Sequence, residues 1–238
     1  GAICISTLST VDDNKGDYII EGCSFESCSG ENGGSIYIYQ RRAYGTNKIT
    51  NSAFMQSNAK VNGGAIFLSF FQTNSQCNKT IICDTTIENC TFENCIGSDG
   101  GCFYFNQRYC YMPLNVINNT FKNNRASNRG GAFYFIASRI FVNESHFIDN
   151  WAPKGSDFFW AYSQNGCYDP DYIIQLFEIT NNDFQQSLDE NMNSLVHLES
   201  YDSYYINFVG NTIKIAGKNL LNQNFSAIYI EMEFYDSS

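Results

Sequence analysis

A 238-residue chain with a net charge of −10 and 16% charged residues lacks the clustered Lys and Arg that phosphate neutralisation requires. That argues against nucleic acid or an anionic membrane surface as a partner. The apolar fraction of 43% can build a core, yet no apolar run approaches the ~18 residues of a membrane-spanning helix.

Taken in chain order, the opening Gly1-Ala2-Ile3-Cys4-Ile5 matches Gly64-Ala65-Ile66-Phe67-Leu68. It reads as the second half of a repeat, so the chain is expected to start in mid-coil, as a piece of a longer array would. The pair Ser24-Phe25 then recurs as Ala53-Phe54, Thr91-Phe92, Thr120-Phe121, His146-Phe147, Asp183-Phe184 and, degenerately, Thr212-Ile213. The intervals between these bend aromatics are 29, 38, 29, 26, 37 and 29 residues, and repetition on that scale marks a solenoid. Each copy is followed by a corner: Gly33-Gly34-Ser35, Gly63-Gly64-Ala65, Gly100-Gly101-Cys102 and Gly130-Gly131-Ala132. Weaker corners follow at Gly155-Ser156-Asp157, Asn193-Ser194-Leu195 and Phe225-Ser226-Ala227. The two long intervals place insertions at about 69–85 and 161–175.

Alternation predicts three strand-like pieces per repeat. Five residues before each bend aromatic, Ile20, Ile49, Ile87, Val116, Val142, Ile179 and Phe208 form an inward column. Three before it stand Gly22, Asn51, Asn89, Asn118, Glu144, Asn181 and Gly210, mostly residues that tolerate a left-handed backbone and so mark a corner. Two before it, Cys23, Ser52, Cys90, Asn119, Ser145, Asn182 and Asn211 are small or amide-bearing, and suited to a side-chain ladder. After the glycine corner, Ile36, Ile66, Phe103, Phe133, Phe158, Val196 and Ile228 form one inward column. Ile38, Leu68, Phe105, Phe135, Trp160, Leu198 and Ile230 form the next. The residue between them points outward: Tyr37, Phe67, Tyr104, Tyr134, Phe159, His197 and Tyr229. The predicted fold is all-β, a right-handed parallel β-helix of about seven coils, as a single domain over 1–238.

Ten cysteines suggest an oxidising compartment. Cys23 with Cys28 and Cys90 with Cys95 share one spacing, and read either as short-loop disulfides or as reduced fillers of the bend. Cys77, Cys83, Cys110 and Cys167 fall in the longer loops and are further disulfide candidates. Sequons at Asn78, Asn89, Asn118, Asn143 and Asn224 are candidate glycosylation sites, Asn78 foremost because it lies in a long loop. No C-x-x-C occurs, and His146 and His197 lie in separate repeats, so neither metal nor cofactor is expected. Asp12-Asp13-Asn14 and Asp169-Pro170-Asp171 lack calcium-loop spacing and read as polar turns. The position before the glycine corner reads Asn32, Asn62, Asp99, Arg129, Lys154, Met192 and Asn224. Asp99 and Arg129 are expected to pair there, as part of a solvated surface row extended by Lys154. No repeated carboxylate pair shares a face, so the chain reads as non-catalytic.

The Gly-Gly-Ala-Ile at 63–66, with Phe-x-x-Asn at 121–124 and 147–150, resembles the repeats of polymorphic outer-membrane-protein adhesins. More broadly, the chain is similar to the right-handed parallel β-helix, or pectin-lyase-like, superfamily, including β-helical surface proteins of protists. Cys28, Ser57, Cys95 and Ser187 stand where the adhesin pattern has Asn. The resemblance implies a passenger-like surface domain for attachment and transfers no catalytic residue. The functional expectation is a non-catalytic structural or adhesive protein, extracellular or on the cell surface. It would associate with itself, end to end or laterally, or dock on a surface protein, with the outward aromatic column as its contact face. The alternative is a carbohydrate-binding or polysaccharide-degrading β-helix with a glycan partner.

Overall fold

Apolar side chains at alternate positions, interrupted by left-handed corners, let this chain bury its inner face in one way, by laying each turn on the one before. The computed structural model describes residues 1–7, 17–41, 45–71, 84–108, 113–136, 139–161, 175–187, 192–200, 204–216 and 226–232. They form a parallel β-helix. Four sheets run along it, and each strand pairs in parallel with its counterpart one coil away. An eight-stranded sheet starts at Ile3–Thr7 and ends at Ser226–Met232. One seven-stranded sheet runs from Tyr18–Glu21 to Tyr204–Val209, the other from Ser24–Glu26 to Thr212–Ala216. The fourth sheet has four short strands, Ser29–Gly30, Asn58–Ala59, Ile96–Asp99 and Arg125–Arg129. Sequence alternation missed it because it sends little more than one small residue per coil inward: Ala59, Gly97 and Ala126 are buried there.

The bend aromatics form one interior row. Phe25, Phe54, Phe92, Phe121, Phe147, Phe184 and Ile213 pair in register. The phenylalanine rings stack 4.8–5.1 Å apart and within 15° of parallel. The predicted inward columns are buried along most of the array, and open only in the last described strands, where Ile213 is 36% and Ile230 43% exposed.

All seven residues of the predicted left-handed column have positive φ, from 50° at Asn51 to 70° at Gly210. A second left-handed column, two residues past the bend aromatic, was not anticipated: Ser27, Gln56, Asn94, Asn123 and Asp149 have φ between 50° and 56°. At the glycine corner the second glycine is required by its neighbour in the next coil. A Cβ on Gly101 would stand 1.9 Å from the carbonyl oxygen of Gly131.

Where the chain turns left-handed, the following N–H leaves the strand ladder, and a side chain one coil on supplies its acceptor. Cys90 N–H donates to Asn119 Oδ1 (2.8 Å), Asn119 N–H to Ser145 Oγ (3.1 Å), Ser145 N–H to Asn182 Oδ1 (2.8 Å) and Asn182 N–H to Asn211 Oδ1 (2.9 Å). The same side chains donate back to a carbonyl of the coil before: Asn119 Nδ2 to Ile87 O (2.9 Å), Asn182 Nδ2 to Val142 O (3.0 Å) and Cys90 Sγ to Ile49 O (3.5 Å). The second corner repeats the scheme with Cys95, Asn124 and Asn150. The Asn of Phe-x-x-Asn is therefore a buried staple between coils. Cys can stand in the same columns because a thiol also donates to the carbonyl below.

This corrects the short-loop disulfides. Cys23, Cys28, Cys90 and Cys95 are free thiols, as are Cys4 and Cys102. Within each proposed pair the cysteines occupy different corners, separated by a three-residue strand and a left-handed residue. At ~3.3 Å per residue that separation is on the order of 10 Å, beyond the ~7 Å between Cα atoms that a bridge tolerates. Cys77, Cys83, Cys110 and Cys167 lie outside the described residues.

Candidate functional site

The outward column on the eight-stranded sheet is continuous. Tyr37, Phe67, Tyr104, Tyr134, Phe159, His197 and Tyr229 pair in register. Their rings stack in sequence at 5.1, 5.0, 5.1, 5.5, 4.7 and 4.7 Å. Parallel pairing at one position per coil sets this spacing; the rings from Tyr37 to His197 lie within 16° of parallel with their neighbours, and Tyr229 is tilted 34° from His197.

The column is not open along its whole length, as the alternation alone implied. Tyr37, Phe67 and Tyr104 are half-buried and Tyr229 is 43% exposed, but Tyr134 is 4%, Phe159 0% and His197 3% exposed. Part of the cover is visible. The Arg129 guanidinium lies 4.7 Å from the Tyr134 ring centre and 5.2 Å from that of Phe159, as a cation over two ring faces. Asp99 holds it there through two bonds, Arg129 Nε to Oδ1 (3.1 Å) and Nη2 to Oδ2 (2.9 Å). Asn128 Nδ2 donates to the same Oδ1 at 2.8 Å. The expected Asp99–Arg129 pair therefore exists, but it is partly buried and roofs the aromatic column.

The surface row departs from expectation above this pair. Lys154 stands beside Arg129, yet its Nζ reaches Glu199 Oε1 at 3.4 Å. Met192 is 4% exposed and belongs to the interior, where Gln186 Nε2 approaches its sulfur at 3.5 Å. His197 Nε2 lies 3.3 Å from Glu199 Oε1. Hydrogen bonding from His197, with Lys154 adding attraction, holds Glu199 below the usual carboxylate range, while burial pushes the Tyr134 hydroxyl well up. Glu199 therefore stays ionised and Tyr134 protonated, which suits a packed, charge-balanced cap better than an acid–base pair.

The remaining candidate residues are dispersed. Asn89 and Asn118 are exposed on the first left-handed corner, where Asn118 Nδ2 donates to Asn89 Oδ1 at 2.8 Å. Asn143 is half-buried and its Oδ1 accepts from Thr180 Oγ1 (2.9 Å) and Asn181 Nδ2 (3.2 Å). Asn78, Asn224 and the acidic stretches 12–14 and 169–171 lie outside the described residues. Among the described residues, no group of three His, Cys, Asp or Glu side chains is arranged to hold a metal ion, and no helix is long and apolar enough to cross a membrane. A shallow groove lined by Ser29, Gly30, Glu31, Asn58, Lys60 and Val61 runs beside the fourth sheet. Sequence reading missed Glu199: alternation puts it on the same outward face as His197, but only the fold brings it beside Lys154, one coil away.

No family model matches the chain, and no curated protein or solved structure similar to it was found.

Proposed function

We propose that the chain is a non-catalytic structural or adhesive β-helix, displayed outside the cell or on its surface, and that the open stretch Tyr37–Phe67–Tyr104 is its contact face. One observation carries this reading. Three rings are held 5.0–5.1 Å apart and within 7° of parallel on a rigid wall, and stay partly uncovered, while the same column further along is roofed by Arg129. A pre-ordered aromatic face loses little entropy on binding, and tyrosine joins apolar area to a hydroxyl, a combination favoured at protein contacts. The resemblance to adhesin repeats supports the same role. The partner is a second copy or a surface protein. Sedimentation velocity over a concentration series tests self-association. Wild type should form assemblies that Tyr37→Ser with Tyr104→Ser disperses; assembly unchanged by the double variant removes this face from the reading.

Flat parallel rings also suit the apolar faces of sugar rings, which keeps carbohydrate binding as a second reading. Glycan-array binding abolished by the same double variant would favour it over protein contact. The Tyr134 ring is unsuited to that test because it lies beneath Arg129.

A further inference from the structure

The third position of the glycine corner points inward, and its occupants are small or apolar: Ser35, Ala65, Cys102, Ala132, Leu195 and Ala227. Asp157 breaks the column with a carboxyl group that is 1% exposed. Its Oδ1 accepts one bond, from Asn150 Nδ2 at 3.0 Å, and its Oδ2 has no partner. Its backbone ties three coils together. The carbonyl accepts from Ala132 N–H (3.2 Å) and Phe133 N–H (2.9 Å) on one side, and the N–H donates to Leu195 O (3.0 Å) on the other.

An ionised carboxylate in this position would have one hydrogen bond and no counter-charge. The coil below offers Ala132 and Asn124, and the coil above Leu195, Gln186 and Met192, none of them ionisable. The charged group that acts on it is the Asp149 carboxylate, of the same sign, itself engaged by Ser187 N–H at 2.7 Å. Lys154, three residues earlier, turns outward to Glu199. The thiols of Cys95 and Cys102 occupy the equivalent corner two coils below, and burial pushes both up. Burying an uncompensated charge is so unfavourable that the group takes a proton instead. Protonation turns the orphan Oδ2 from an acceptor into a donor. Gln186 Oε1, buried in the next coil, is an acceptor still without a donor.

We propose that Asp157 carries a proton in the folded chain and that loss of this proton is a pH-controlled latch between its own coil and the two it touches. Burial pushes its carboxyl from 3.8 to about 7. The folded value lies above the unfolded one, so the contribution is fully present below about 3.8, is drawn down as pH rises, and is gone above about 7. Across that window, folding takes up one proton at this site. The folding constant therefore falls about tenfold per pH unit on account of Asp157 alone.

Urea midpoints of wild type, Asp157→Asn and Asp157→Ala, measured across the window, test this. Alanine is the residue this column itself uses at Ala65 and Ala132, so that variant is expected to fold. Wild type should lose stability relative to both variants as pH rises from about 4 to about 7, then run parallel to them. Curves parallel throughout would overturn the proposal. If neither variant folds, the infrared carbonyl band of a protonated carboxylic acid decides in wild type: titration near pH 7 supports the latch, and absence of the band at pH 5–6 overturns it.

Discussion

Replacing Asn124 by alanine tests whether the corner amides, and not the aromatic row alone, hold the coils together. Asn124 is fully buried; its Oδ1 accepts from Cys95 N–H (2.9 Å), and its Nδ2 donates to Phe92 O (3.1 Å) and Asn150 Oδ1 (3.0 Å). Truncation leaves the buried Cys95 N–H without its acceptor, at ~1–3 kcal/mol, and removes the side-chain bond to Phe92 O, at ~0.5–1.5 kcal/mol, so the expected loss is about 2–4 kcal/mol. For a chain of this size, that lowers Tm by roughly 4–16 °C, at ~2–4 °C per kcal/mol. Asn124→Cys should lose about half as much, because Cys95 already shows a thiol donating to the carbonyl below it, Phe54 O at 3.6 Å. Calorimetry with urea unfolding followed by the fluorescence of Trp151 and Trp160 gives both numbers. A loss below ~1 kcal/mol for Asn124→Ala, comparable to truncating exposed Asn128, would refute the staple and leave the strand ladders and the stacked side chains to hold the coils together.

Glu144 adopts φ 53° in a column otherwise filled by Gly and Asn, so Glu144→Gly should raise stability by about 0.5–1 kcal/mol in chemical denaturation. Gly101→Ala should abolish folding or cause severe loss, read by circular dichroism, because both nearest atoms to the new Cβ are backbone, Gly131 O at 1.9 Å and the Arg125 carbonyl carbon at 2.7 Å. Burial pushes Cys90 up to about 11 and Cys95 to about 12. Peptide mapping after iodoacetamide at neutral pH should therefore find these two unlabelled in the folded chain and labelled once urea unfolds it, while exposed Cys4 reacts in both states.

What was legible in the sequence was whatever depends on a residue's own coil position. Inward columns such as Ile87–Val116–Val142 and the bend row Phe92–Phe121–Phe147 follow from alternation, and parallel stacking then sets their register. The first left-handed corner was visible because Gly and Asn fill six of its seven places. The second was hidden, since Ser27 and Gln56 carry no such preference and are held left-handed by the stacked coils on either side. Cover over the outward column was equally hidden. Tyr134 and Phe159 look like Tyr104 in sequence, and their burial depends partly on a guanidinium delivered from the preceding corner and fixed by a carboxylate one coil away. Asp157 read as a decayed Gly-Gly-Ala corner, because nothing in its neighbours along the chain says that its carboxyl points inward.

Parallel stacking also changes how composition bears on function. A column is several chemical answers to one structural demand, so a residue is informative where it departs from its column. By that criterion the described cysteines are ordinary: Cys90 and Cys95 do the work of Asn119 and Asn124 one coil on, and so lend no weight to an oxidising compartment. The proposed surface location rests instead on the half-buried aromatic stretch. The departures fall in the later coils: Arg129 over the rings, Asp157 in a small-residue column, His197 in an aromatic one. The earlier coils keep their columns regular and leave Tyr37, Phe67 and Tyr104 half-buried. The aromatic column is therefore uneven along the axis, half-buried over the earlier coils, covered from Tyr134 to His197, and exposed again at Tyr229. A partner that tracked the repeat alone would bind earlier and later coils equally. One that binds through the proposed contact face would favour the earlier coils, and substitution of Arg129 would extend its footprint by removing part of the cover over Tyr134 and Phe159.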